Sequence, residues 1–225
     1  RQEASERKAE YDKLLQDACD NMVETRGYYN AWIVSAEEGG GRGAAPTMSR
    51  LTVARGTNLE HVSQCVMDQL EAGKVPMCVR LAMQQPGVVI MVDPANECEG
   101  CPLGGGHPDR SALAVRLEHS GWVYGVLGLS VPRDYSADPE ELALVDEIAD
   151  DLAFALHNLE SEAKRIVAER LLHDSEARYR ELFDRMSSGV IVYEAVDDGD
   201  DFIIRDLNQA EQRIGAIREA DAIGR

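Results

Sequence analysis

Residues 121–160 read GWVYGVLGLSVPRDYSADPEELALVDEIADDLAFALHNLE, and the change of period inside this stretch decides the fold. From Trp122 to Val131 the residues are aromatic, aliphatic or small, as suits a strand. From Leu142 the apolar residues recur three and four apart, the period of a helix face. Just upstream, Leu113, Val115 and Leu117 alternate with Ala114, Arg116 and Glu118, and Ser120-Gly121 separates that run from Trp122. The two runs therefore form a β-hairpin that feeds directly into a helix.

Upstream of the hairpin, Val88 to Val92 (VVIMV) is continuously apolar, which predicts a strand buried on both faces. Between them, Asp93 to Arg110 holds four glycines, three prolines and two cysteines and is read as irregular. Tyr11, Leu15, Ala18 and Met22 share one helix face, so Ser5 to Thr25 is an amphipathic helix ended by Gly27. Tyr28 to Ser35 and Met48 to Ala54 read as strands around the glycine-rich loop from Gly39 to Gly43. Asn58 is placed to cap a helix running to Ala72, and a short helix follows from Pro76 to Gln84. The class is α+β: an antiparallel sheet flanked by helices.

Downstream, Leu142, Val145, Ala149, Leu152, Leu156, Leu159, Ala163 and Ile166 alternate three and four residues apart, a heptad seam. Its first two turns are expected to pack on the chain's own sheet. Beyond Asn158 the neighbours are nearly all charged (ESEAKR), and so narrow a stripe predicts a coiled-coil-like linker and a parallel homodimer through residues 142–166. The phase is lost between Arg170 and Asp174. A new pattern opens at Ser175, read as an N-cap, with Tyr179, Leu182, Phe183 and Met186 on one face, and this slip marks a domain boundary.

The 225 residues carry a net charge of -18, with basic residues scattered among acids, which argues against nucleic acid and against direct contact with anionic lipid. No apolar run approaches the ~20 residues that a membrane helix needs, and no signal peptide is visible, so a cytoplasmic location is expected. A start on Arg1 and a stop at Arg225 are expected of an excised piece. Five cysteines, an odd number, do not make a disulfide framework.

The words GWVYGVLGLSVP (121–132) and EELALVDEIADDLAFALHNLE (140–160), in this order of elements, resemble a GAF domain. SEARYRELFDRMSSGVIVYEA (175–195) and the stretch from Asp206 to Arg225 resemble the first part of a PAS domain. The resemblance implies a start of a linker helix at 1–9, a GAF sensory domain at 10–159, a helical signalling linker at 160–174 and a partial PAS sheet at 175–225. It also implies a small-molecule, metal or redox signal relayed through a dimeric helix, with no enzyme in this stretch and an output enzyme such as a histidine kinase beyond residue 225.

Candidates for the signal follow from residue chemistry. Trp32, Met91, Arg116 and Tyr124 lie on predicted strands and are placed to line a pocket, and Arg110 and Arg116 suit a carboxylate or phosphate. Trp32 and Met91 are equally suited to filling the core. Cys98 and Cys101, with two residues between them, suit either one metal ion, with His107, Asp93, Cys65 or Cys78 completing the set, or a redox disulfide, or a buried loop. Cys78, Cys98 and Cys101 also resemble the thiols of GAF-like reductases of free methionine sulfoxide. A scaffold that only dimerises is the remaining alternative.

Other ligand classes are thinned by absence. The sequence lacks a cyclic-nucleotide GAF word, a bilin-anchoring Cys-His pair and a phosphate-binding glycine loop. His61, His107 and His119 stand alone, as surface histidines do more often than haem ligands, and His173 lies at the slip without a phosphoacceptor context.

Overall fold

The computed structural model describes residues 2–36, 48–57, 59–98, 109–196, 200–216 and 218–224. The chain divides into two compact units, Arg1–Ala163 and Lys164–Arg225.

In the first unit, helix α1 (Gln2–Glu24) precedes strands β1 (Asn30–Ala36) and β2 (Met48–Gly56). Helices α2 (Leu59–Glu71) and α3 (Met77–Gln84), strand β3 (Val89–Met91) and the single turn α4 (Pro94–Glu97) follow. The hairpin β4 (Arg110–His119) and β5 (Trp122–Pro132) leads through a 3-10 turn into helix α5 (Pro139–Arg185). The strands pair in the order β2-β1-β5-β4-β3, all antiparallel, which is the α+β arrangement the sequence predicts. Ser120 and Gly121 both take positive φ, 52° and 80°, the two-residue turn whose twist suits a hairpin.

Alternation along the strands divides the core in two. Ala31 and Ile33, Leu113, Val115 and Leu117, and Leu127, Leu129 and Val131 pack with Leu15, Cys19 and Met22 of α1 and with Val145, Ala149, Leu152 and Leu156 of α5. Trp32 and Val34, Ala112 and Ala114, and Val126 point the other way, toward Val66 of α2, Cys78, Val79 and Ala82 of α3, and Val89, Met91 and Cys98. Each fully buried leucine or valine stabilises its layer by roughly 1.5–3 kcal/mol.

Three expectations are corrected. The β3 segment is not buried on both faces: it is an edge strand paired only with β4, and while Val89 and Met91 are buried, Ile90 and Val92 are exposed. Ser175 caps no helix, because α5 continues through it to Arg185. Pro94–Glu97 forms one helical turn inside the segment read as irregular. The capping role of Asn58 falls outside the described residues.

In the second unit, the end of α5 is followed by the hairpin β6 (Ile191–Val196) and β7 (Asp201–Leu207) and the short helices α6 (Gln209–Ile214) and α7 (Glu219–Ala222). Its centre is Asn208, fully buried. The Asn208 amide donates to the carbonyls of Phe183 (3.1 Å) and Ser188 (2.9 Å), and its Oδ1 accepts from Val190 N and Glu211 N. One side chain thus caps α6 and ties it to the end of α5 and the start of β6.

Candidate functional site

The sheet face turned to α2 and α3 is laid out in rows by the strand register. Ala54, Trp32, Gly128, Ala114 and Val89 lie side by side across the five strands. Asn30, Ser130, Ala112 and Met91 form the row on one side, and Val34, Val126 and Arg116 the row on the other. A Cβ on Gly128 would lie 2.2 Å from Cζ2 of Trp32, so the indole rests directly on the glycine backbone. Small neighbours make this possible.

Trp32 is only 2% exposed, yet among the described residues its Nε1 has no hydrogen-bond partner, and neither has Oδ1 of the buried Asn30. An unmatched buried polar group costs about 1–3 kcal/mol. One donor and one acceptor on adjacent rows of this face are what a small bound molecule or an ordered water would satisfy.

The arginines are differently placed. Nη1 of Arg116 donates to the carbonyl of Met83 at 3.2 Å, and its Nη2 pairs with Glu118 at 2.5 Å, so this side chain ties the end of α3 to β4. The guanidinium of Arg110 stacks 4.0 Å from the ring centre of Tyr29, with a buried Nε that has no partner among the described residues. Trp32 and Met91 are thus brought together in one cluster, Arg116 stands one row away, and Arg110 lies at the start of β4.

Tyr124 is on the opposite face. Leu117 pairs with Gly125 but Glu118 pairs with Val123, so Tyr124 is the extra residue of a β-bulge and its side chain turns toward α1 and α5. Its hydroxyl lies 2.7 Å from Nδ1 of His157 on α5. Burial, then the nearby Glu160 carboxylate, pushes its pKa up to about 12. The His119 ring, at the end of β4, lies 5.0 Å from His157 and 5.2 Å from Phe154. This link between hairpin and helix was not legible as a site, because a bulge has no signature in an alternating sequence. The only hint is a histidine near each end of it.

The first turn of α5 is held as well. Glu141, buried, accepts from the Tyr28 hydroxyl and from Nη2 of Arg26. The Tyr28 hydroxyl is raised well above its ordinary pKa by burial and by that carboxylate.

Of the cysteine constellation, Cys98 and Cys78 are buried in the same cluster as Trp32 and Met91. Oδ2 of Asp93 accepts from Nδ2 of Asn96 at 2.8 Å within the α4 turn. Cys101 and His107 fall outside the described residues, as do the side chains of Cys65 and His61. Among the described residues, no three His, Cys, Asp or Glu side chains gather as a metal site. Cys19, on the α1 face, is fully buried, and that burial pushes its thiol up to about 12. Among the described residues no helix is long and apolar enough to cross a membrane.

A family model described as GAF domain matches residues 8–157. No curated protein matches the chain. Among solved structures, the GAF domain/HD domain protein from Geobacter sulfurreducens is similar at 13% identity, covering 67% of this chain and 94% of that one, with a TM-score of 0.44. The GAF domain from a phosphoenolpyruvate-protein phosphotransferase of Coxiella burnetii is similar at 14% identity, over 68% and 86%, with a TM-score of 0.45. The type II free methionine-R-sulfoxide reductase from Thermoplasma acidophilum is similar at 17% identity, over 68% and 96%, with a TM-score of 0.42.

Proposed function

The chain belongs to the GAF domain family, and from that premise we propose that it is the sensory part of a signalling protein, in which a small molecule held on the α2–α3 face of the sheet shifts the packing of α5 on the other face. The observation that carries this reading is that one strand serves both faces. On β5, Gly128 lies under the unmatched Trp32 indole, and four residues earlier Tyr124 bonds His157 of α5. A ligand that takes up Trp32 Nε1 bears on the same strand that holds the helix. It must bind one packing of α5 better than the other, by about 1.4 kcal/mol for each tenfold shift.

In this reading the chain carries no catalytic step and acts in the cytoplasm. Residues 175–225 form the first part of a PAS fold, α5 relays the signal within a dimer, and an output enzyme such as a histidine kinase answers it. A thiol signal is the second reading, favoured by the burial of Cys78 and Cys98 in the Trp32 cluster.

Native mass spectrometry with elemental analysis, on full chain purified without added metal or reductant, tests both. The expected result is a small-molecule adduct that Trp32→Phe loses, since phenylalanine lacks the N–H donor. A metal, or a mass deficit of two protons from a disulfide, moves the reading to the cysteines. A bare wild-type mass that stays bare after incubation with a metabolite extract rejects the ligand reading.

A further inference from the structure

His119 closes β4 just before the hairpin turn, paired with Trp122, and His157 lies on α5. Far apart in sequence, the two meet in space with ring centres 5.0 Å apart and planes tilted by 48°, so they are not stacked. Both are half-buried, open enough to exchange with solvent. The edge of Phe154 packs against the His119 ring and holds it in place. His157 is held more exactly, through a chain of hydrogen bonds. The Tyr124 hydroxyl has one proton and bonds the Glu160 carboxylate, which accepts only, so its oxygen is left to accept from Nδ1–H of His157 at 2.7 Å. That assigns the lone pair of His157 to Nε2. Its neighbour there is Ser161 Oγ at 3.5 Å, the outer limit of a hydrogen bond.

We propose that His119 and His157 together bind one divalent transition-metal ion of the zinc class, which clamps the tip of the β4–β5 hairpin to α5. The spacing suits it. With metal–nitrogen bonds of about 2.0–2.1 Å at a tetrahedral angle, two imidazoles on one ion place their ring centres about 5.2 Å apart. Two imidazoles without a carboxylate cage select zinc, copper or nickel over magnesium or calcium, which prefer oxygen. The chain from Glu160 through Tyr124 to His157 is the outer support that a metal-ligating histidine needs to fix its tautomer and ring. The bulge that turns Tyr124 toward α5 builds that support, as bulges often re-aim a side chain beside a site. Among the described residues no group of three ligands gathers, so water completes the coordination, and the ion exchanges with solution rather than being locked in. The net charge of -18 draws divalent cations toward the surface. This site lies on the opposite sheet face from Trp32 and from the cysteines, and it stands whether or not a small molecule binds there.

Calorimetric titration of the full chain with Zn2+ alone tests it, in wild type and in a protein carrying Cys65→Ser, Cys98→Ser and Cys101→Ser, so that thiols cannot take the ion. The serine protein is expected to keep one zinc site. His119→Phe in that protein preserves an aromatic ring against Phe154 but removes a ligand, and it should weaken the site more than tenfold with an unchanged circular dichroism spectrum. Tyr124→Phe leaves both ligands and removes only the support of His157, and roughly tenfold weaker binding is expected. Cu2+ bound to the serine protein should show electron-paramagnetic coupling to two imidazole nitrogens, a readout that needs no histidine variant to fold. A serine protein that takes up no zinc overturns the proposal. So does zinc binding that His119→Phe leaves unchanged, or a copper spectrum without the two nitrogens.

Discussion

The two faces of the five-stranded sheet are made from the same strands, residue by residue in alternation, yet they differ in how completely their polar groups are matched. On the face turned to α1 and α5, the polar groups that join the sheet to α5 meet partners: Tyr124 reaches His157, and Tyr28 and Arg26 reach Glu141, while Oδ1 of Asp12 on α1 is buried without one among the described residues. On the face turned to α2 and α3, Trp32 Nε1 and Asn30 Oδ1 are buried without a partner among the described residues. Closed hydrogen bonding fixes one arrangement, whereas an unmatched donor in an apolar layer is a standing cost that a bound molecule removes. A domain that must be rigid toward its helix and receptive toward its surroundings is served by this division.

The comparison can be broken most forcefully at Leu156, fully buried where α5 meets the sheet. Leu156→Ala is expected to cost about 2–5 kcal/mol in a denaturant unfolding experiment. A loss under 1 kcal/mol would mean that α5 does not anchor the first unit. High pH provides the next test. The fold holds Cys19 and Tyr124 in their neutral forms, with pKa values raised from 9.0 and 10.0 to about 12 by burial. Unfolded, both ionise earlier, so their contribution is complete below pH 9 and is lost as pH rises toward 12. Stability should fall across that window, less steeply in Cys19→Ala and Tyr124→Phe, and Tyr124→Phe should also cost about 1 kcal/mol at neutral pH. A pH slope identical in all three proteins would remove that face's claim to be matched. The smallest effect belongs to the other face. Asn30→Leu removes an unpartnered oxygen at similar volume, and the expected change is below ~1 kcal/mol without loss of stability. A large loss there would show that Asn30 is bonded after all, and the two faces would be alike.

The hairpin from Arg110 to Pro132 and the helix after it were legible because Leu113, Val115 and Leu117 alternate with their neighbours, Ser120-Gly121 marks the turn, and the apolar residues from Leu142 recur three and four apart. What escaped has physical causes. The apolar run Val88 to Val92 reads as doubly buried, but sequence does not say that its strand sits at an edge with nothing over Ile90 and Val92. Tyr124 reads as a neighbour of Val126 on the same face, and one extra residue in the pairing reverses it. The first turns of α5 were expected to pack on the chain's own sheet, and Val145 to Leu156 do so. Of the candidate site, Trp32 and Met91 were legible as strand residues sharing one face, whereas their unmatched polar neighbour Asn30 was not, because a missing hydrogen bond leaves no trace in the order of residues.

The contact of Trp32 with Gly128 also limits how this domain can change over evolutionary time. Position 128 cannot gain even a methyl group while position 32 keeps its indole, because the two atoms would stand 2.2 Å apart. Descendants of this sequence can therefore vary the two sites only as a pair, exchanging tryptophan for a smaller residue before, or together with, the loss of glycine. Lineages that have made the exchange should differ from this one in the molecule they recognise, since the step that frees the strand also removes the indole donor.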